Sequence, residues 1–185
     1  MKKYFVLFSV LFAVFCFSGC SSDDDNTIPQ IRITDEAITD FFKTELPERT
    51  NNLDPITVKN SFFFTLDSYG IQQPLIDENI VCVINSRQEL ADAYLGEEEL
   101  PEINFNKYTL IIGQQIMPYH GFYVAKKELS VNDKGLILTL YTRNDNELLP
   151  NADQNLYFWG LYPKQSQKMI SVNVIKEYTH FPDLH

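Results

Sequence analysis

The chain has 185 residues, a formal net charge of −10 and three cysteines. That length suits one domain with a real core. Strong acidity without a basic cluster excludes nucleic acid as an expected partner, and it gives the chain as a whole no electrostatic pull toward anionic lipid.

The first element precedes any fold. Lys2 and Lys3 lead into an uncharged run from Tyr4 to Phe17, and the small residues Ser18 and Gly19 come before Cys20. A basic start, a short apolar stretch and small residues at the end describe a secretory signal peptide over residues 1–19. The run is short of the roughly 20 residues a helix needs to cross a bilayer.

Phe17-Ser18-Gly19-Cys20 resembles the lipobox of bacterial lipoprotein signal peptides. The resemblance implies cleavage before Cys20 and lipidation of Cys20 on its sulfur and its new amino group. A thiol can carry diacylglycerol as a thioether, and small neighbours admit the peptidase. One acyl chain holds only marginally, so two or three on one residue make a lasting anchor. Ser21-Ser22-Asp23-Asp24-Asp25 resembles the acidic tag of surface-displayed lipoproteins in a large group of Gram-negative bacteria. That implies an outer-membrane lipoprotein, exposed at the cell surface. The stretch also reads as a solvated linker. Residues 20–33 are therefore expected to be a flexible acidic tether, and 34–185 one globular domain. Losing 1–19 removes two lysines and no acid, which leaves a mature charge of −12.

Along the domain, a helix is expected from Asp35 to about Leu46. Ile38, Phe41 and Phe42 share a face, Thr34 can cap, and Pro47 stops it. From Ile56 to Leu66 the pattern predicts one half-buried strand, with Ile56, Val58, Phe62, Phe64 and Leu66 on one face. Ile80 to Ile84 reads as a central strand. Its Cys82 is the one thiol left once Cys16 departs and Cys20 is acylated, so no internal disulfide is expected and Cys82 is read as a small apolar core residue. Ser86 and Glu89 form a capping box for a short helix, with Gly96 placed for its C-terminal cap. Strands follow at Tyr108 to Ile116, at Phe122 to Val131 and Leu136 to Thr142 around an Asn-Asp-Lys-Gly turn, through Leu156 to Tyr162, and at Ser171 to Tyr178. Neighbouring strands joined by short turns, with two modest helices, argue for an α+β fold that is mainly antiparallel β-sheet and sandwich-like.

Residues 81–177 show a strand, a short helix, an acidic link, Phe105 before the strand from Tyr108 to Ile112, and a Gly121-Phe122-Tyr123 step into a hairpin. This pattern resembles the PrcB-like domain family, named after a lipoprotein subunit of a bacterial surface protease complex. It implies an accessory, non-catalytic role in binding or stabilising another envelope protein. His120 stands where that family often has a second glycine.

Signatures of chemistry are sparse. No G-x-S-x-G, P-loop or G-x-G-x-x-G is present, and His120, His180 and His185 lack the spacing of a zinc site. Asp145, Glu147 and Asp153 do not follow the order of a calcium loop. Neither metal nor cofactor is expected, and no catalytic residue is assigned. The candidate binding residues are Gly121, Phe122, Tyr123, Tyr157, Trp159 and Tyr162. Exposed Trp and Tyr would serve a protein partner or, as the alternative, stack on a surface glycan; alternating aromatics also place some rings, Phe158 first, in the core.

Overall fold

The computed structural model describes residues 26–55, 60–66, 68–69, 71–75, 78–145 and 153–179. In chain order these hold β1 (Thr27–Ile28), α1 (Glu36–Glu45), β2 (Phe64–Leu66), β3 (Gln72–Pro74), β4 (Ile80–Ile84), α2 (Arg87–Ala93), β5 (Tyr108–Met117), β6 (Phe122–Asn132), β7 (Gly135–Asn144), β8 (Gln154–Pro163) and β9 (Ile170–Tyr178). One sheet has the order β4-β5-β8 and another β1-β6-β7-β9; β2 and β3 form a small hairpin sheet.

β5 explains the stacking, because it is buried without a break from Thr109 to Gln115. Leu110 and Ile112 pack in a cluster with α1, whereas Ile111 and Met117 pack in a second cluster with β6 and β7. β8 divides the same way, with Tyr157 and Leu161 toward the helices and Leu156, Phe158 and Tyr162 toward the larger sheet. Side chains alternate along a strand, so apolar residues at both parities require cover on both faces. The layers are helices, three-stranded sheet, four-stranded sheet. The fold is α+β and mainly β, as expected.

β6 pairs with β7 in the expected hairpin, closed by Gly135 at φ +133°. The register shifts between Val124 and Lys126. This bulge swaps the parity of β6. Phe122 and Val124 point inward before it, Leu129 after it. Lys127 shares the parity of Leu129 and so turns toward the core. β9 runs parallel to β7, while the other pairings among the described strands are antiparallel, in keeping with a mainly antiparallel fold. β8 crosses in the other sheet, so the returning chain re-enters in the direction of β7.

Four local expectations are corrected. Residues 26–33 are not all tether: Thr27 and Ile28 pair with Ser130 and Leu129, and the Ile31 N–H donates to the Leu161 carbonyl at 2.7 Å. The cap of α1 is Asp35, whose carboxylate accepts the Ala37 N–H at 2.9 Å, in place of Thr34. In α2 the Ser86 hydroxyl accepts the Glu89 N–H at 3.1 Å as expected, but the C-cap is Tyr94, not Gly96. The strand expected from Ile56 shrinks to Phe64–Leu66 within the described residues; 56–59 lie outside them. Asn60 is buried and its side-chain oxygen accepts the N–H groups of Phe62 and Phe63. That Asx turn replaces the ladder and puts Phe62 and Phe63 together in the core.

Candidate functional site

The two stretches singled out in the sequence meet at Gln154, the first residue of β8. The Gly121 N–H donates to Gln154 Oε1 at 2.9 Å, and Gln154 Nε2 donates to the Phe122 carbonyl at 3.1 Å. Gly121 has φ +100°, a conformation glycine adopts without strain. The turn that carries it is thereby tied to the start of β8.

The rings themselves are core. Phe122 and Tyr162 are fully buried, and Tyr123 and Tyr157 nearly so. Phe122 meets Tyr178 edge to face at 5.3 Å. Tyr157 OH accepts from Asn60 Nδ2 at 3.1 Å, and Tyr123 OH donates to Asp145 Oδ2 at 2.8 Å. Trp159 is half-buried, with its ring stacked on Phe42. In place of an exposed aromatic platform, these rings are buried or half-buried, those of β8 because that strand is covered on both faces. Phe158 is buried as expected. Cys82 is half-buried on β4, and burial pushes its thiol up, away from the reactive thiolate. Cys20, Glu147, His180 and His185 lie outside the described residues.

Beside Gln154 opens a cleft of about 360 Å³, walled by the segment after α1 and by the start of β8. Pro47, Glu48, Arg49 and Asp54 form one wall, and Gln154, Asn155 and Tyr157 the other. Lys127, turned inward by the bulge, donates from Nζ to Glu48 at 2.6 and 2.7 Å and to the Trp159 carbonyl at 2.6 Å. Burial raises the Glu48 carboxyl even though Lys127 pulls the other way. Arg49 is buried and donates to the Asn51 and Asn52 carbonyls at 3.1 and 2.6 Å, while its Nη1 has no partner. Burial lowers its pKa, against the attraction of Asp54. Asp54 accepts from the Thr50 and Asn51 N–H groups, from Thr50 Oγ1 and from Asn51 Nδ2. Burial alone would raise its pKa, but these donors hold it below the usual carboxylate range.

Both carboxylates at this cleft are therefore already engaged by cations or donors, an arrangement that fixes a wall and offers no paired acid and base. Among the described residues no group of three His, Cys, Asp or Glu could hold a metal ion. Sequence patterns missed Glu48, Arg49, Lys127 and Gln154. The bulge that re-aims Lys127 leaves no local mark, and Arg49 sits in a link with no periodicity. No protein-family model, curated protein or solved structure matches this chain.

Proposed function

We propose that this chain is a lipoprotein anchored in the outer membrane of a Gram-negative bacterium through Cys20, displayed at the surface, whose domain binds or stabilises another envelope protein without catalysis. The observation that carries it is a juxtaposition. Phe17-Ser18-Gly19-Cys20 and the acidic Ser21 to Asp25 come directly before Asn26, where the described fold begins. A sheet whose first strand starts seven residues after a lipidated cysteine is a domain held close to its bilayer.

The PrcB-like pattern over residues 81–177 supports a protein partner. So does the cleft, a concave wall in which Lys127 pairs with Glu48 and neighbouring donors hold Asp54. Exposed Trp and Tyr rings were support common to a protein partner and to the glycan alternative, and the burial of Tyr157 and Tyr162 takes that support from both.

Two experiments test the proposal. Labelled fatty acid should enter the wild-type chain, and Cys20→Ala should abolish the label and release the protein from membranes. Crosslinking on intact cells with mass spectrometry should then recover one recurrent envelope protein. No label, or retention on a polysaccharide column with no protein partner, overturns it. Protease shaving of intact cells should digest the domain; protection until the outer membrane is opened would move it to the periplasmic face.

A further inference from the structure

We infer that one pole of the sandwich, where the β6–β7 turn meets the link from β8 to β9, lies on the lipid surface. The inference rests on acylation of Cys20. Asn26 follows Cys20 by six residues, a distance of at most ~21 Å for an extended chain. Nor is Asn26 free to choose its place: its carbonyl accepts the Val131 N–H at 3.2 Å, and the next two residues pair with Ser130 and Leu129. The anchor therefore enters at the end of β6 that turns into β7. β6 has eleven residues, so its other end, at Phe122, is ~35 Å away along the strand.

The chemistry of that pole differs from the rest of this acidic chain. Met169 is 73 % exposed, and its carbonyl accepts the Leu136 N–H at 2.9 Å, which fixes it beside the turn. A shallow cavity of about 240 Å³ lies there between Met169, Lys134 and Leu136. The β5 and β8 ends reach the same pole, since the Lys164 N–H bonds the Lys107 carbonyl at 2.9 Å and Lys168 bonds Glu89. Lys107, Lys134, Lys164 and Lys168 are all exposed, although the Lys164 ammonium donates to the Asn85 and Phe105 carbonyls and Lys168 pairs with Glu89; Asp133 neighbours Lys134, and Asp23 to Asp25 directly precede Asn26 in sequence. The exposed thioether of Met169, with the Lys134 stem on the same cavity, suits a headgroup layer with acyl chains beneath. Acyl chains hold the protein, and this pole sets how it stands. The end carrying Gly121 and Gln154 then points away from the bilayer, toward a partner.

The test uses the full lipidated chain in vesicles of phosphatidylethanolamine and phosphatidylglycerol doped with a headgroup diazirine lipid. Adducts mapped by mass spectrometry should be several-fold more frequent on residues 131–136 and 164–169 than on the largely exposed residues 175–179 at the opposite end. Met169→Glu combined with Lys134→Glu should still float with vesicles but lose most adducts at that pole. Equal labelling of both poles, stronger labelling at 175–179, or a double variant that labels like wild type would overturn the orientation. Wild-type protein that fails to float would instead overturn the anchor, and this inference with it.

Discussion

Trp159 lies flat against Phe42, with ring centroids 4.5 Å apart and planes inclined by 20°. The stack joins β8 to α1 and thus clamps the helical layer onto the three-stranded sheet. Trp159 is the chain's single tryptophan, so this contact reports on itself. Phe42→Ala should cost about 3–5 kcal/mol, read as a lower denaturation midpoint, with the emission of Trp159 shifted to the red. An unshifted spectrum with unchanged stability would mean that the clamp is not there.

Lys127→Met would leave the Glu48 carboxylate buried without its cation, at a cost of about 3–5 kcal/mol. Adding Glu48→Leu to the same chain should recover most of that loss, because no buried charge remains. A double-mutant cycle in urea gives the coupling between the two. Equal and additive losses would show that the pair contributes nothing beyond its packing.

The same carboxyl sets a sign. Burial raises Glu48 in the folded state, so its contribution favours folding most below the ordinary carboxylate pKa and declines as pH rises through the folded value. With Lys127 replaced by Met, that decline should steepen. Stability of the variant, measured by denaturation from pH 4 to pH 8, should improve toward acid relative to wild type; parallel curves would refute it.

Asp54 and Glu128 act in the opposite direction. Burial raises Asp54 but its four donors win, and Lys126 followed by Tyr141 lowers Glu128. Stability from these groups is present above the ordinary carboxylate range and is lost as pH falls through their lowered folded values. Asp54→Asn should flatten the acid limb of the stability curve. It should also speed amide exchange in residues 50–54, and an unchanged limb would count against the assignment.

Gly121→Ala places a Cβ on a backbone at φ +100°, a strain of about 1–3 kcal/mol. The substitution should lower the melting temperature and free Gln154, with faster exchange at the start of β8. Gln154→Ala should reproduce the exchange change without the strain. If Gly121→Ala melts like wild type, the turn does not hold the geometry described.

Much of this fold was legible from local pattern. The β6–β7 hairpin, β5, α1 and the capping box of α2 depend on residues within a few positions of one another. The sorting of strands into two sheets was not, since Leu110 and Ile111 are equally apolar and only their neighbours in space tell them apart. From Asn60 on, the expected strand is interrupted as far as Phe63 because that one buried side chain supplies hydrogen bonds that alternation cannot foresee. The site fared worse. An aromatic string such as Tyr157 to Tyr162 says that rings are needed but not that both faces of β8 are covered. Lys127 looks like a solvated charge until the bulge two residues before it is known.

The parallel seating of β9 on β7 bears on how the molecule is made. A chain that emerges from its N-terminus completes the β6–β7 hairpin early, from neighbouring residues. The far flank of β7 must then wait for the last segment to arrive, after β8 has crossed to the other sheet. Throughout that interval β7 presents an open row of amides and carbonyls to other nascent copies. Truncation before Ile170 would make the interval permanent, and such a chain should self-associate more readily than one that carries β9.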